Sequence, residues 1–279
     1  MDFKQILSTT TDYNFHSHTE FCDGHAPMET MARAAVSAGM RHYGFSPHSP
    51  IPIPSPCNMP EESVEAFMNE YRRISALPEL AACRFYLSME IDYLSPEWSP
   101  ANEYFRQLPL DYRIGSVHFI PCQDGTHVDI DGKFEAFKRR MAGHFHNDIE
   151  YVVDTFYRQT AAMIEAGGFD IIGHFDKVAQ NASLYAPDIE DSSFYRSKVL
   201  DTIELLGKHN YLIELNTKAR TEHRRFFPDT RYWGDIADCG LTFVVNSDAH
   251  HPDRITASRD EAFELLKRFP RHCYACQES

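Results

Sequence analysis

Short apolar runs alternate with longer stretches of helical periodicity along most of this chain. Val, Ile and aromatic residues are frequent in the short runs, which predicts strands over residues 13–18, 42–47, 84–92, 112–118, 169–174, 211–216 and 242–247. The longer stretches repeat apolar residues at three- and four-residue intervals, which predicts helices over residues 27–38, 60–76, 134–166, 194–208, 231–238 and 259–269. Strands separated by helices are expected to pair in parallel through right-handed crossovers.

This alternation predicts an α/β fold. Seven strand and helix units favour a closed or nearly closed barrel over an open sheet. A doubly wound open sheet is the alternative, although it would gather functional groups mainly at one switch point. A chain of 279 residues is long enough for one large domain with a full core, and we expect a single domain over 1–279.

Six of the apolar runs are followed directly by a histidine or a carboxylate. These residues are His16 and His18, His48, Glu90, His118, His174, and Asp248 with His250. In a barrel the carboxyl ends of all strands face one mouth, so these side chains are expected to converge there. Imidazole and carboxylate together are typical ligands of borderline divalent metals, which predicts a multinuclear metal site.

Spacing within these segments refines the expected site. His16 and His18 share one face of a strand, because side chains alternate with a period of two, and Asp23-Gly24-His25 offers a further ligand from the next loop. Glu90 lies among apolar neighbours, where an ionised carboxylate is costly unless it is paired or bound to metal. Its two oxygens make it the candidate bridge between two metals.

Composition limits the partners. The chain has 41 acidic and 27 basic residues and a net charge of −14, which argues against nucleic acid or an anionic membrane as partner. We expect a soluble, cytoplasmic protein, because no apolar stretch approaches the length of a membrane span and the seven scattered cysteines indicate a reducing compartment. The sequence leaves the oligomeric state open, and a homo-oligomer is compatible with it.

The motifs resemble those of the polymerase and histidinol phosphatase (PHP) superfamily, and within it the histidinol-phosphate phosphatases. The matching segments run in family order: His16-Ser-His18-Thr, Cys22-Asp-Gly-His25, His48-Ser-Pro-Ile-Pro, Glu90-Ile-Asp-Tyr, Ile114-Gly-Ser-Val-His118, Ile172-Gly-His174-Phe-Asp, Glu214-Leu-Asn216-Thr and Asn246-Ser-Asp248-Ala-His250.

The resemblance implies a distorted (β/α)7 TIM-like barrel with three divalent metal ions at its mouth, and the ligand types suit Zn, Mn or Fe. By motif, the first metal would be held by His16, His18, Glu90 and Asp248; the second by Glu90, His118 and His174; and the third by His25, His48 and His250. A metal-bound hydroxide would be the nucleophile, with Glu90, Asp248 and His250 as the catalytic residues through it.

The expected reaction is hydrolysis of L-histidinol phosphate to L-histidinol and phosphate, a small-molecule conversion in histidine biosynthesis. Arg220, Arg225 and Lys177 are the candidate phosphate-binding cations, since they follow predicted strands. One alternative is a phosphoesterase acting on another small phosphomonoester or a nucleotide. A second alternative, a catalytically silent metal-binding module, predicts broken ligand motifs, whereas all nine ligand positions are filled.

Overall fold

The computed structural model describes residues 1–209 and 211–269. The strands in these ranges are β1 (Tyr13–Asn14), β2 (His42–Phe45), β3 (Arg84–Leu87), β4 (Glu90–Asp92), β5 (Ile114–Ser116), β6 (Phe119–Pro121), β7 (His127–Asp129), β8 (Ile171–Ile172), β9 (Leu212–Asn216) and β10 (Thr242–Asn246). The α-helices are α1 (Phe3–Thr9), α2 (Met28–Ser37), α3 (Val64–Ser75), α4 (Glu103–Gln107), α5 (Phe134–His144), α6 (Ile149–Ala166), α7 (Val178–Tyr185), α8 (Ser193–His209), α9 (Arg220–His223), α10 (Trp233–Asp238) and α11 (Arg259–Leu266).

Two parallel sheets form the centre of the molecule. One sheet has the order β1-β2-β3 and the other has the order β10-β9-β8-β5-β4. Two isolated bridges link the sheets: Ser17 beyond β1 pairs with Ala249 beyond β10, and His48 beyond β2 pairs with Glu90 at the start of β4. The α/β class with parallel strands is therefore confirmed. Barrel closure is not confirmed, because the described strands form no closed sheet.

Several predicted strands are longer than the regular ladders in the structure. The predicted strand 13–18 pairs regularly only at Tyr13–Asn14. Beyond that point the amide of Phe15 donates to Asn246 Oδ1 and the amide of Ser17 donates to Ser46 Oγ. Backbone pairing continues only as an isolated bridge there, since the amide of His18 donates to the carbonyl of Ala249 while side chains accept from Phe15 and Ser17. The regular ladder therefore ends before the carboxyl edge.

The predicted helix 134–166 is wrong as one element, because α5 and α6 are separate helices. His146 and Asn147 between them have φ values of 50° and 61°, and this left-handed backbone cannot continue a right-handed helix. Asp148 then caps α6, since its carboxylate accepts from the amide of Tyr151. The antiparallel hairpin of β6 and β7, and helices α1, α4, α7 and α9, were not predicted from the sequence.

The hydrophobic core has two parts, each of which packs helices against one of the parallel sheets. One part packs α6 and α8 against the larger sheet, with Phe156 and Val199 fully buried. The other part packs α2 and α3 against the smaller sheet, with Met31 and Phe67 fully buried. No helix in the described ranges is both long and apolar enough to span a membrane.

Candidate metal centre and substrate cavity

Glu90 lies at the centre of five imidazoles. Its Oε2 is 3.2 Å from His16 Nε2, 3.6 Å from His18 Nε2 and 3.0 Å from His48 Nδ1. Its Oε1 is 2.9 Å from His174 Nε2 and 3.5 Å from His118 Nε2. The two oxygens thus face different histidine groups, which is the geometry required of a carboxylate that bridges two cations.

The sheet brings these groups together. Glu90 begins β4 directly after β3, while the histidines follow the carboxyl ends of β1, β2, β5 and β8. Glu90 is completely buried. Burial alone would raise the pKa of its carboxyl, but the imidazoles of His16, His118 and His48 outweigh burial and hold the pKa well below its usual value. Glu90 is therefore ionised and negative at the centre of the cluster.

Asp248 is a second buried carboxylate beside the first histidine pair. Its Oδ1 is 3.2 Å from His18 Nε2, 3.9 Å from His16 Nε2 and 3.3 Å from His250 Nδ1. The residue has a φ of 48°, a left-handed conformation that is rare outside glycine and is concentrated at functional sites. His16, His18 and Asp248 offer ligand atoms that all lie within 4.8 Å of one another.

A third group of donors lies at the outer side of the cluster and consists of His18, Asp23, His48 and His250. Asp23 Oδ1 is 3.3 Å from His250 Nε2 and 3.7 Å from both His18 Nδ1 and His48 Nε2. His25 was predicted to belong to this group. Its side chain is exposed and lines the cavity, but it does not appear among the close donor groups of the described residues.

Further buried carboxylates orient the histidines. His16 Nδ1 donates to Glu214 Oε1 at 2.6 Å, and His118 Nδ1 donates to Asp92 Oδ1 at 2.7 Å. Because an ionised carboxylate only accepts hydrogen bonds, each ring has its proton on Nδ1 and turns its Nε2 toward Glu90. Sequence reasoning did not assign a role to Glu214. Its position as a carboxylate inside an apolar strand was the available signal, as it was for Glu90.

The donor atoms fit divalent cations. His16 Nε2, His18 Nε2, Asp23 Oδ1 and Glu90 Oε2 are buried and have no hydrogen-bond partner among the described residues. Buried polar atoms without partners are costly, and four of them converging on one place indicates that cations satisfy them. A set of nitrogen and oxygen donors without thiolate suits Zn, Mn or Fe. Such a set is more typical of a catalytic metal site than of a structural one.

A cavity of about 730 Å³ opens over this cluster. Lys218 lies at its inner end, with Nζ 3.2 Å from Asp248 Oδ1 and 3.3 Å from His250 Nε2. Lys177 lines the same wall and is 8% exposed. The remaining wall is of mixed character and includes the acidic residues Asp129 and Asp131, the amide Asn181 and the apolar residues Phe119, Phe134 and Leu184.

The structure places one of the three predicted phosphate-binding residues in the cavity wall and the other two elsewhere. Lys177 lines the cavity, whereas Arg220 and Arg225 are not among its lining residues. Arg220 pairs with Glu261 and lies over the ring of Phe226, and the half-buried Arg225 pairs with Glu190. Lys218 was missed by the sequence analysis. Its place two residues beyond the end of β9 was the signal that could have identified it.

The chain is similar to a known protein family and to a curated protein. The family model described as the PHP domain matches residues 14–218. A curated protein of Deinococcus radiodurans named "Probable histidinol-phosphatase" is 27% identical over 251 residues, which cover 86% of each chain.

Two solved structures are similar in fold. One, from Listeria monocytogenes and named as a candidate histidinol phosphatase, has a TM-score of 0.77 at 20% identity and covers 89% of this chain and 99% of its own. The other is histidinol phosphate phosphatase of Lactococcus lactis in complex with zinc, L-histidinol and phosphate. It has a TM-score of 0.69 at 19% identity and covers 93% of this chain and 94% of its own.

Proposed function

Since this chain belongs to the PHP domain family, we propose that it is a metal-dependent phosphomonoesterase and that its substrate is L-histidinol phosphate. The observation that carries the proposal is the position of Glu90, whose two oxygens face two separate histidine groups. His48, His118 and His174 of these groups line a cavity that also holds Lys177 and Lys218. A site of this kind places cations beside an anion-binding wall, as phosphoryl transfer requires.

The proposed ligands fall into three groups. His16, His18, Glu90 and Asp248 would hold one cation, and Glu90, His118 and His174 a second. For a third, the geometry supports Asp23, His48 and His250 together with His18, and Asp23 then takes the position that the sequence analysis assigned to His25. Divalent cations bound there would neutralise the phosphoryl oxygens and lower the pKa of water to near neutrality.

The protein's own residues bind and orient the substrate in this proposal. Lys218 and Lys177 attract the phosphate group to the inner end of the cavity and replace Arg220 and Arg225 as its proposed cationic contacts. Glu214 and Asp92 fix the rings of His16 and His118. A cysteine nucleophile is disfavoured, because burial and the neighbouring Asp23 raise the pKa of the Cys57 thiol in this cavity to about 11.

The substrate is inferred from the cavity and from the relatives. A volume of about 730 Å³ suits a small phosphomonoester. The named relatives are histidinol phosphatases, and the Lactococcus lactis protein binds zinc, L-histidinol and phosphate. A phosphoesterase for another small monoester or a nucleotide, or a silent metal-binding module, would give a different result in the activity test below.

We further propose that the strands complete a distorted (β/α)7 barrel in a single domain. Counting β3 and β4 as one interrupted strand, seven parallel strands follow one another from β1 to β10. The two isolated bridges join the chain beyond β1 to the chain beyond β10, and the chain beyond β2 to β4. The convergence of side chains from β1, β2, β4, β5, β8 and β10 supports this arrangement, since an open sheet would not direct both of its ends to one centre.

The test is hydrolysis of L-histidinol phosphate beside a panel of small phosphomonoesters and nucleotides. Protein dialysed against chelator should be inactive, and Zn, Mn or Fe should restore activity with the highest kcat/KM on L-histidinol phosphate. Preference for another monoester would contradict the substrate assignment. Failure to release phosphate from any ester with any of these metals would contradict the phosphomonoesterase itself.

A further inference from the structure

We infer that Asp131 and the amide oxygen of Asn181 bind the cationic amino group of the substrate's alcohol portion, and so select phosphate esters of amino alcohols. The inference rests on the proposed function, because it identifies a second group that the same cavity recognises. The ligand class is a phosphomonoester with an ammonium group a few bonds from the phosphate.

Asn181 provides an acceptor that no protein group uses. The residue is 2% exposed and lines the cavity. Its Nδ2 donates to the carbonyl oxygens of Ile130 and Gly132 at 3.2 and 3.3 Å, which fixes the orientation of the amide. Its Oδ1 is buried and has no hydrogen-bond partner within the described ranges. A buried acceptor without a partner is costly, and a donor of a ligand bound in the cavity that Asn181 lines would lower this cost.

Asp131 lies between the two carbonyl groups that hold Asn181. Its carboxylate lines the cavity and remains 27% exposed. Lys177 Nζ is 3.5 Å from its Oδ2, which is too long for a strong hydrogen bond, and a carboxylate has about four lone-pair sites. Asp131 can therefore accept from an incoming ammonium while it still faces Lys177.

The neighbouring carboxylate Asp129 is already engaged. Its Oδ1 accepts from the amide of Asp131 at 2.7 Å, and its Oδ2 is 2.5 Å from Arg140 Nη2. Asp129 thus orients Asp131 and already has a partner on each of its oxygens, whereas Oδ1 of Asp131 has no hydrogen-bond partner among the described residues. An ammonium has three donors and no acceptor, so the free oxygens of Asp131 and Asn181 suit it and would repel a second phosphate or a carboxylate.

The inferred site also explains the polarity of the cavity. Lys218 lies beside the metal centre and Asp131 lies beside Lys177, while Asn181 and the apolar side chains Phe134 and Leu184 line the same cavity. A substrate that carries both an anionic phosphate and a cationic amino group is complementary to a cavity wall with charges of both signs. The apolar side chains of the same cavity can pack against a ring in the alcohol portion of the substrate.

The test compares Asp131→Asn with wild-type enzyme on L-histidinol phosphate and on its deamino analogue, imidazolylpropyl phosphate. The variant should lose at least about tenfold in kcat/KM on the amino substrate, mostly through KM, because a charge-assisted hydrogen bond is removed. On the deamino analogue kcat/KM should stay the same or rise, since a negative charge near the phosphate is gone. The matched control is Asp124→Asn, which removes the same charge from an exposed position in the β6–β7 turn and should leave both rates unchanged.

Equal losses on both substrates, or no loss on the amino substrate, would overturn the inference. Wild-type protein that hydrolyses neither ester would contradict the proposed function, and calorimetric binding of L-histidinol to metal-loaded protein then decides the inference. Binding that weakens in Asp131→Asn supports it; absent binding, or equal binding in both proteins, overturns it. Metal content and melting temperature of each variant show whether the site itself is intact.

Discussion

Replacing Glu90 with glutamine tests the bridging carboxylate most directly. Glutamine keeps the shape of the side chain but has one amide oxygen and one NH₂ group. Ser116 Oγ donates to Glu90 Oε1 at 2.7 Å, so the amide oxygen of the variant is expected at that position, where it also faces His118 and His174. The NH₂ group then faces His16, His18 and His48, where it cannot bind a cation.

The size of the effect follows from burial. Glu90 is completely buried among imidazoles, and breaking a buried charge pair costs about 3–5 kcal/mol. At about 1.4 kcal/mol per factor of ten, the affinity for the cation on the His16 and His18 side should fall by roughly two to three and a half orders of magnitude. The cation on the His118 and His174 side keeps an oxygen ligand and should be retained better.

The assay is metal stoichiometry by mass spectrometry after gel filtration, combined with chelator competition and kcat on L-histidinol phosphate. Glu90→Gln should lose at least one metal per chain together with nearly all activity. Glu97→Gln is the control, because Glu97 is an exposed carboxylate in the loop after the same strand. Full stoichiometry, unchanged affinity and retained activity in Glu90→Gln would refute the bridging role.

Four further outcomes are expected. Asp92→Asn should weaken metal binding about 10–100-fold with little loss of fold, because it removes the carboxylate that orients His118; unchanged affinity in chelator competition would count against that role. Gly173→Ala should destabilise the protein by about 1–3 kcal/mol in denaturant unfolding, because the added Cβ would lie 2.3 Å from Ser116 Oγ. A neutral substitution would show that β5 and β8 can separate at this point. Lys218→Gln should lower kcat/KM on all phosphomonoesters by a similar factor, of about ten or more. A loss seen only with esters of one alcohol would show that Lys218 recognises the alcohol portion instead of the phosphate. Removal of metal by chelator should lower the melting temperature by about 5–15 °C for each cation removed, if each cation contributes about 3–4 kcal/mol at saturation. An unchanged transition in calorimetry would mean that no cation binds the folded state preferentially.

Local pattern was sufficient for the part of the site that lies on strands. His16 and His18 share a face because strand side chains alternate, and Glu90 stands out because an isolated carboxylate in an apolar run needs a partner. The position of each group beyond a parallel strand then predicted convergence, and the structure places the Nε2 atoms of His16 and His18 within 4 Å of Glu90 Oε2.

The loops and the longer-range pairings were decided by tertiary structure. Asp23, not His25, joins the close donor group, because the loop is held by long-range contacts such as the amide of His25 donating to the carbonyl of His250. Lys218 reaches the cavity while Arg220, two residues later, turns to Glu261, and no periodicity in the sequence distinguishes the two. The break between α5 and α6 depends in the same way on two residues with left-handed backbone.

The sequence by itself therefore determined the α/β class and the metal-ligand types at the strand ends, since both follow from short-range periodicity. Tertiary structure decided which loop side chains complete the centre and which cations and acceptors line the cavity. The physical reason is that a strand fixes side-chain direction within a few residues, whereas the direction of a loop residue depends on contacts with segments far away in the chain.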